Sequence, residues 1–215
     1  MDVDVAHLAP LVELPRRRLF GFALECPTVS GPNLACSVDV VARWRADAGP
    51  RVLVDADPAD LAPTTLDDLL ARAEARGVRT DALIVRIPRF EPSMHLPAIE
   101  HLIEHGVQIA VRDVDLRGAD LGILAGAPID IMELPADLVA ASDRDPAAAA
   151  ALAARIEVGH RHDWLALAWH VERATQLEAL VAIDCDLIAG PVAGRRLALA
   201  EADRAVARYL TDATV

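Results

Sequence analysis

A chain of 215 residues is long enough to bury a large core within one domain or one small barrel. With 21 basic against 33 acidic side chains its net charge is −12, which argues against a nucleic-acid surface, since that needs a basic face, and no nucleic-acid partner is expected. No lysine occurs. That rules out a P-loop lysine, a Schiff-base lysine and any lysine-dependent acid–base role.

Apolar residues make up 53% of the chain and its mean hydropathy is +0.28, yet charges interrupt every strand-like run before bilayer-spanning length. No membrane partner is expected. The start, Met1–Pro10, is acidic and has neither the basic beginning nor the apolar centre of a secretory signal, so the expected location is cytoplasmic. Cys26, Cys36 and Cys185 stand at unrelated spacings and read as core or near-core residues rather than a disulfide framework or zinc site.

In chain order, residues 7–13 and 18–25 read as a β-hairpin around Pro15-Arg16-Arg17-Arg18, the one basic cluster and a solvated turn. A helix is predicted over about 34–47, stopped by Gly49-Pro50, and Val52–Val54 is a strand. Thr64-Thr65 and the acids Asp67-Asp68 open the next helix, which Gly77 closes. Further strands are predicted at 82–87, 107–111, 129–132, 165–168 and 187–189, with helices near 95–105, 118–125, 145–158, 173–182 and 198–210. Eight strands, the later ones alternating with helices, are most economically closed into an α/β barrel.

Four segments carry a family resemblance: GVQIAVRDVDL from Gly106, APIDIMELPADLV from Ala127, LALAWHVERATQLEAL from Leu165 and DCDLIAGP from Asp184. They resemble the "GV.IALDDFG", "P.D.IKID..FV", "V.AEGVET..Q...L" and "GCD..QG...P" segments of cyclic-di-GMP phosphodiesterases of the EAL type. The resemblance covers about residues 7–210 as a single domain, strong in frame and order and weak in identity. It implies a modified (β/α)8 TIM-like barrel with an N-terminal β-hairpin and one antiparallel strand. It also implies an active centre at the C-terminal strand ends, where carboxylates and an Asn hold two divalent metals that activate a water against a phosphodiester.

Transferred position by position, most of those groups are replaced. LFGFALECP resembles the strand that carries the family's metal-binding Glu, and Ala23 takes its place; a rival alignment on Asp39–Trp44 leaves too few residues for the next helix. VLVDADPADL resembles "VNLSP..L", with Asp55 for Asn. VRIPR resembles "LEITE", with Arg86 and Arg89 for the two acids. "DDFG" becomes Arg112-Asp113-Val114-Asp115. Glu133 replaces the lysine of "KID", Trp169 replaces the first Glu of "AEGVE" while Glu172 keeps the second, and Ala189 replaces the Gln of "QG". A permanent guanidinium charge where two divalent cations would sit opposes metal binding more strongly than the loss of one ligand. Asp55, Asp113, Glu133 and Glu172 are therefore expected to pair with Arg86 and Arg112 in a salt-bridge network, with no metal or other cofactor and no catalytic residue.

Among other candidates, His101 and His105 are spaced for zinc on one helix, but that helix lies outside the barrel and reads as a solvated face. His160-Arg161-His162-Asp163 precedes a strand and falls on the opposite, structural end. Trp169 beside His170 is expected to plug the emptied mouth.

Three functions follow for weighing. The leading expectation, which the resemblance to degenerate family members implies, is a non-catalytic regulatory or adaptor domain that binds another, unidentified protein. The alternative is a non-hydrolysing cyclic-di-GMP receptor using Arg86, Arg112 and Trp169, although cyclic-di-GMP binding is not expected because the ligand-contacting Asn and Gln are missing. An altered enzyme built on Asp113, His170 and Glu172 ranks last. The resemblance further implies a homodimer through the surface at Leu134–Asp145 and the alanine-rich helix that begins at Pro146, whose small side chains allow close approach.

Overall fold

The computed structural model describes residues 6–25, 33–44, 49–87, 91–112, 126 and 128–212. Strands β1 (His7–Glu13) and β2 (Arg18–Glu25) form the opening antiparallel hairpin. Helix α1 (Asn33–Arg43), β3 (Arg51–Asp55), α2 (Pro63–Ala75), a 3-10 turn (Thr80–Ala82), β4 (Leu83–Ile87), α3 (Pro92–Glu104) and β5 (Gln108–Val111) follow. Then come β6 (Ile131–Glu133), α4 (Ala136–Ala141), α5 (Pro146–Arg161), β7 (Leu165–Ala168), α6 (Ala174–Ala182), β8 (Leu187–Ala189), β9 (Leu197–Ala198) and α7 (Leu199–Asp212). Within these described residues no helix is long and apolar enough to cross a membrane.

Strands β2 to β8 pair in parallel and in sequence order. Strand β1 closes the ring, antiparallel to both β2 and β8. This is the modified eight-stranded barrel with one reversed strand. A ninth strand was not expected: Leu197 pairs with Leu8 and Ala198 with His7, which puts β9 on β1 outside the ring and delays the last helix to Leu199. The short helix α4 was also not anticipated, because six residues between Pro135 and Ser142 are too few to display a period. The predicted helix near 118–125, the end of the helix predicted over 34–47, and Cys26 lie outside the described residues.

Two cores hold the barrel. Inside the ring, Leu11, Leu53, Ile84, Ile131, Leu167 and Leu187 meet with the alanines Ala9, Ala23, Ala110 and Ala189. Branched residues and alanines together fill this narrow interior. The second, larger core lies between strands and helices. In α2 the buried residues Leu66, Leu69 and Ala73 recur at helical spacing on one face. Helix α5 does the same with Ala148, Leu152, Ile156 and Gly159. Its start is fixed by Asp145, whose carboxylate accepts from the Ala147 amide at 2.9 Å, and by Pro146 in the first turn. Cys36 and Cys185 are buried, and burial pushes the Cys185 thiol up to about 12.

Candidate functional site

Alternation along each strand builds the mouth of the barrel. Successive side chains point to opposite faces, so the residue two positions beyond an interior residue also points inward, one layer higher. The interior layer Leu53, Ile84, Ala110, Ile131 and Leu167 is thus followed by Asp55, Arg86, Arg112, Glu133 and Trp169. An apolar layer gives way in one step to two acids, two guanidinium groups and an indole.

Arg86 is the centre of this layer. Its side chain is only 8% exposed, and that of Glu133 only 7%. Arg86 Nη1 donates to Glu133 Oε2 at 2.8 Å. Its Nε and Nη2 form a two-point contact with Asp55, the latter at 2.8 Å to Oδ2. Asp55 sits at the wet edge, with 49% of its side chain exposed. The fork geometry of a guanidinium matches a carboxylate in this way. Burial alone would lower the Arg86 guanidinium, but its hydrogen bonds to Asp55 and the charge of Glu133 hold it above its ordinary value. Burial pushes the Glu133 carboxyl up, and the positive charges of Arg86 and Arg112 oppose it. The guanidinium is the fixed charge of the group, and Glu133 is the member that responds to burial.

Trp169 covers this arrangement rather than plugging the mouth. Its ring centroid lies 4.7 Å from Arg86 Cζ, a cation–π contact over the buried guanidinium. Space remains on both sides of it. On one side, a cavity of about 270 Å³ is lined by Arg112, Glu133, Leu134, Pro135, Trp169 and His170. On the other, a cavity of about 430 Å³ runs along Glu25, Trp169, His170, Glu172, Arg195 and Arg196. His170 forms the ridge between them, edge-on to Trp169 at 6.1 Å, and holds a left-handed backbone at φ 59°.

The expected network is therefore met at Asp55, Arg86 and Glu133; Arg112 acts on Glu133 through its charge and lines the smaller cavity, and Glu172 stands apart. Glu172 is exposed, its amide donates to Gln176 Oε1 at 2.9 Å, and its side chain borders the larger cavity. It follows the left-handed His170 and Val171, which is buried in the core between strands and helices, so it lies away from the Arg86 layer. Asp113 and Arg89 lie outside the described residues. Ala23 and Ala189 are buried in the interior layer and bring no polar atom to the mouth. Glu25, Arg195 and Arg196, which the sequence reading did not single out, line the larger cavity, and Arg196 pairs with Glu25 at 3.1 Å. The Arg195-Arg196 pair just after Gly190-Pro191 was the available signal.

The other histidines raised as candidates, His101, His105, His160 and His162, have structural surroundings. His101 bonds Asp67 at 3.0 Å on the outer helices, and its ring meets that of His105 at 5.0 Å. His160 bonds Asp186 at 2.8 Å, and the ring of His162 lies 5.1 Å from that of Trp164, at the far end of the barrel. Among the described residues, no group of three or more His, Cys, Asp or Glu side chains is arranged to hold a metal ion.

The sequence matches the EAL domain over residues 34–195, three quarters of the chain, and the chain belongs to the EAL domain family. Its fold is shared with solved structures of low identity. The EAL domain of Mycobacterium smegmatis DcpA superposes with a TM-score of 0.82 at 16% identity, over 95% of this chain and 97% of that one. The EAL enzyme Bd1971, in a form with cAMP and cyclic di-GMP bound, gives a TM-score of 0.81 at 13% identity, over 94% of this chain and 64% of that one. This chain thus spans less than two thirds of that enzyme's length. A standalone EAL protein from Vibrio cholerae in its cyclic-di-GMP-bound form gives a TM-score of 0.72 at 14% identity, covering 89% and 91%. No curated protein sequence matches the chain.

Proposed function

We propose that this EAL-family chain does not hydrolyse cyclic di-GMP and acts in the cytoplasm as a regulatory or adaptor domain that binds another protein. The observation that carries this reading is the Arg86 guanidinium between Asp55 and Glu133. The family's divalent metals do not fit there. A cation placed among these carboxylates would meet a buried, permanent positive charge already bonded to both of them. Asp55, Arg86, Arg112 and Glu133 carry two charges of each sign, so the layer is balanced without a metal. Purified protein incubated with cyclic di-GMP and either magnesium or manganese is expected to yield no linear pGpG. Turnover dependent on either metal overturns the proposal.

A second reading, a non-hydrolysing cyclic-di-GMP receptor, is favoured by the two cavities beside Trp169, with Arg112 in one and Arg195 and Arg196 in the other. Arginines can hold phosphates and an indole can stack on a base. Isothermal calorimetry separates the two. No heat of binding is expected; a dissociation constant in the micromolar range or tighter replaces the adaptor reading with the receptor one. The same proposal includes self-association through α5, whose outward Ala147, Ala150 and Ala154 recur at helical spacing and leave a flat, exposed strip.

A further inference from the structure

The opposite end of the barrel, where β2 to β8 begin, holds a separate cavity with its own chemistry. The β1–β2 pairing slips there: Leu11 faces Gly21 while Val12 faces Leu19, so Phe20 is the extra residue of a bulge. A bulge re-aims a side chain, and Phe20 turns in to pack beneath the interior core. Its neighbour Gly21 lets β3 approach closely, since a Cβ there would lie 2.4 Å from the Arg51 carbonyl oxygen. Arg51, the first residue of β3, is thereby set beside Phe20, with Cζ 4.6 Å from the ring centroid. Its Nε donates to Gln108 Oε1 at 2.8 Å, and the Gln108 amide is directed towards Asp130. The guanidinium is fixed by one face and one edge. Among the described residues neither of its Nη groups has a hydrogen-bond partner.

That guanidinium lies in the wall of a cavity of about 230 Å³, alongside Arg18 and Arg79. Glu13 pairs with Arg18 at 2.8 Å and Asp81 pairs with Arg79. Three guanidinium groups against two carboxylates leave the lining with one net positive charge, in a protein whose own charge is −12. We infer that this cavity binds a small phosphate-bearing anion, whose oxygens take both Nη groups of Arg51. The fork of a held guanidinium suits two oxygens of one phosphate. Arg18 and Arg79 offset Glu13 and Asp81, so the charge of Arg51 is left to the anion. The cavity has room for a single phosphorylated small molecule, and the acidic remainder of the protein repels polyanions. The site lies across the barrel from the mouth, so it stands or falls independently of the function proposed there.

The test is thermal unfolding in inorganic phosphate, acetate and chloride at matched ionic strength, for the parent, Arg51→Gln and Arg51→Lys. Phosphate is expected to raise the Tm of the parent and to saturate at millimolar concentration, which separates binding from a general salting effect. Acetate should act more weakly and chloride not at all. Arg51→Lys keeps the charge and loses the fork, and both variants should weaken phosphate by at least about tenfold. Arg18→Gln, on the exposed wall, should weaken it without touching the Phe20 stack. Equal shifts with chloride, or an undiminished phosphate response in the Arg51 variants, overturn the inference. If neither Arg51 variant folds, an undiminished response in Arg18→Gln does so.

Discussion

Arg86 shows how much one residue can decide. Two residues above Ile84 on β4, it replaces an apolar interior position by a cation that must be paired, and Asp55 and Glu133 do so from the neighbouring and next-but-one strands. Replacing it by Met is expected to destabilise the protein by about 3–5 kcal/mol in urea titrations at neutral pH, because Glu133 then remains charged, buried and without its partner. The sign of the pH dependence follows from the direction of the Glu133 shift. An acid held above its ordinary value by burial binds its proton more tightly in the folded state, so stability lost in the variant returns as pH falls through that raised value. The deficit of Arg86→Met against the parent should therefore narrow on mild acidification. A deficit that stays constant or grows contradicts the paired-charge account. This position was legible because VRIPR resembles the family's "LEITE", which puts Arg86 where the first acid stands. Which acids reach it was only partly legible, since Glu172 stands close to the mouth in the sequence frame but turns away after His170.

Between elements, the clearest single tie joins the α4–α5 connection to α6. Asp143 accepts from Arg173 Nε at 3.0 Å and Nη2 at 2.7 Å, and from the Thr175 hydroxyl. Arg173 also reaches the Ala140 carbonyl at 2.9 Å. The Arg173 and Thr175 hydrogen bonds hold the Asp143 carboxyl well below the usual carboxylate range. A carboxyl lowered in the folded state contributes stability that is present above its unfolded value and lost as pH falls towards its folded one. This contribution should therefore fade below about pH 4. Asp143→Asn is expected to lower Tm at pH 7 and to flatten its decline between neutral and acidic pH; parallel pH profiles for variant and parent refute the tie. Nothing local announces it. Asp143 and Arg173 are 30 residues apart, and only the packing of α4 against α6 brings them together.

For the whole molecule, the ring from β1 to β8 leaves two ends with different chemistry: a balanced charged layer under Trp169 at one, and an arginine-lined cavity over Phe20 at the other. If α5 mediates self-association, light scattering at micromolar concentration gives twice the monomer mass, and Ala150→Arg on the exposed strip returns it to the monomer mass. A monomeric parent removes the dimer and leaves the adaptor reading to a different protein partner alone.

The family resemblance implied the reversed strand and which residues stand at the barrel mouth, while the sequence by itself determined the opening hairpin and the order of strands and helices that an α/β barrel closes. Those depend on short-range periodicity: a strand shows its inward residues at every second position, and a helix its buried face at every third or fourth. What only the tertiary structure decided is which charges meet. Barrel closure brings Asp55 and Glu133 to Arg86 across 31 and 47 residues of chain. It lays Trp169 over their centre and, through a one-residue slip against β1, turns Phe20 under Arg51. Such meetings depend on the stagger of neighbouring strands, which is set by the packing of the closed ring and is not carried by any one segment.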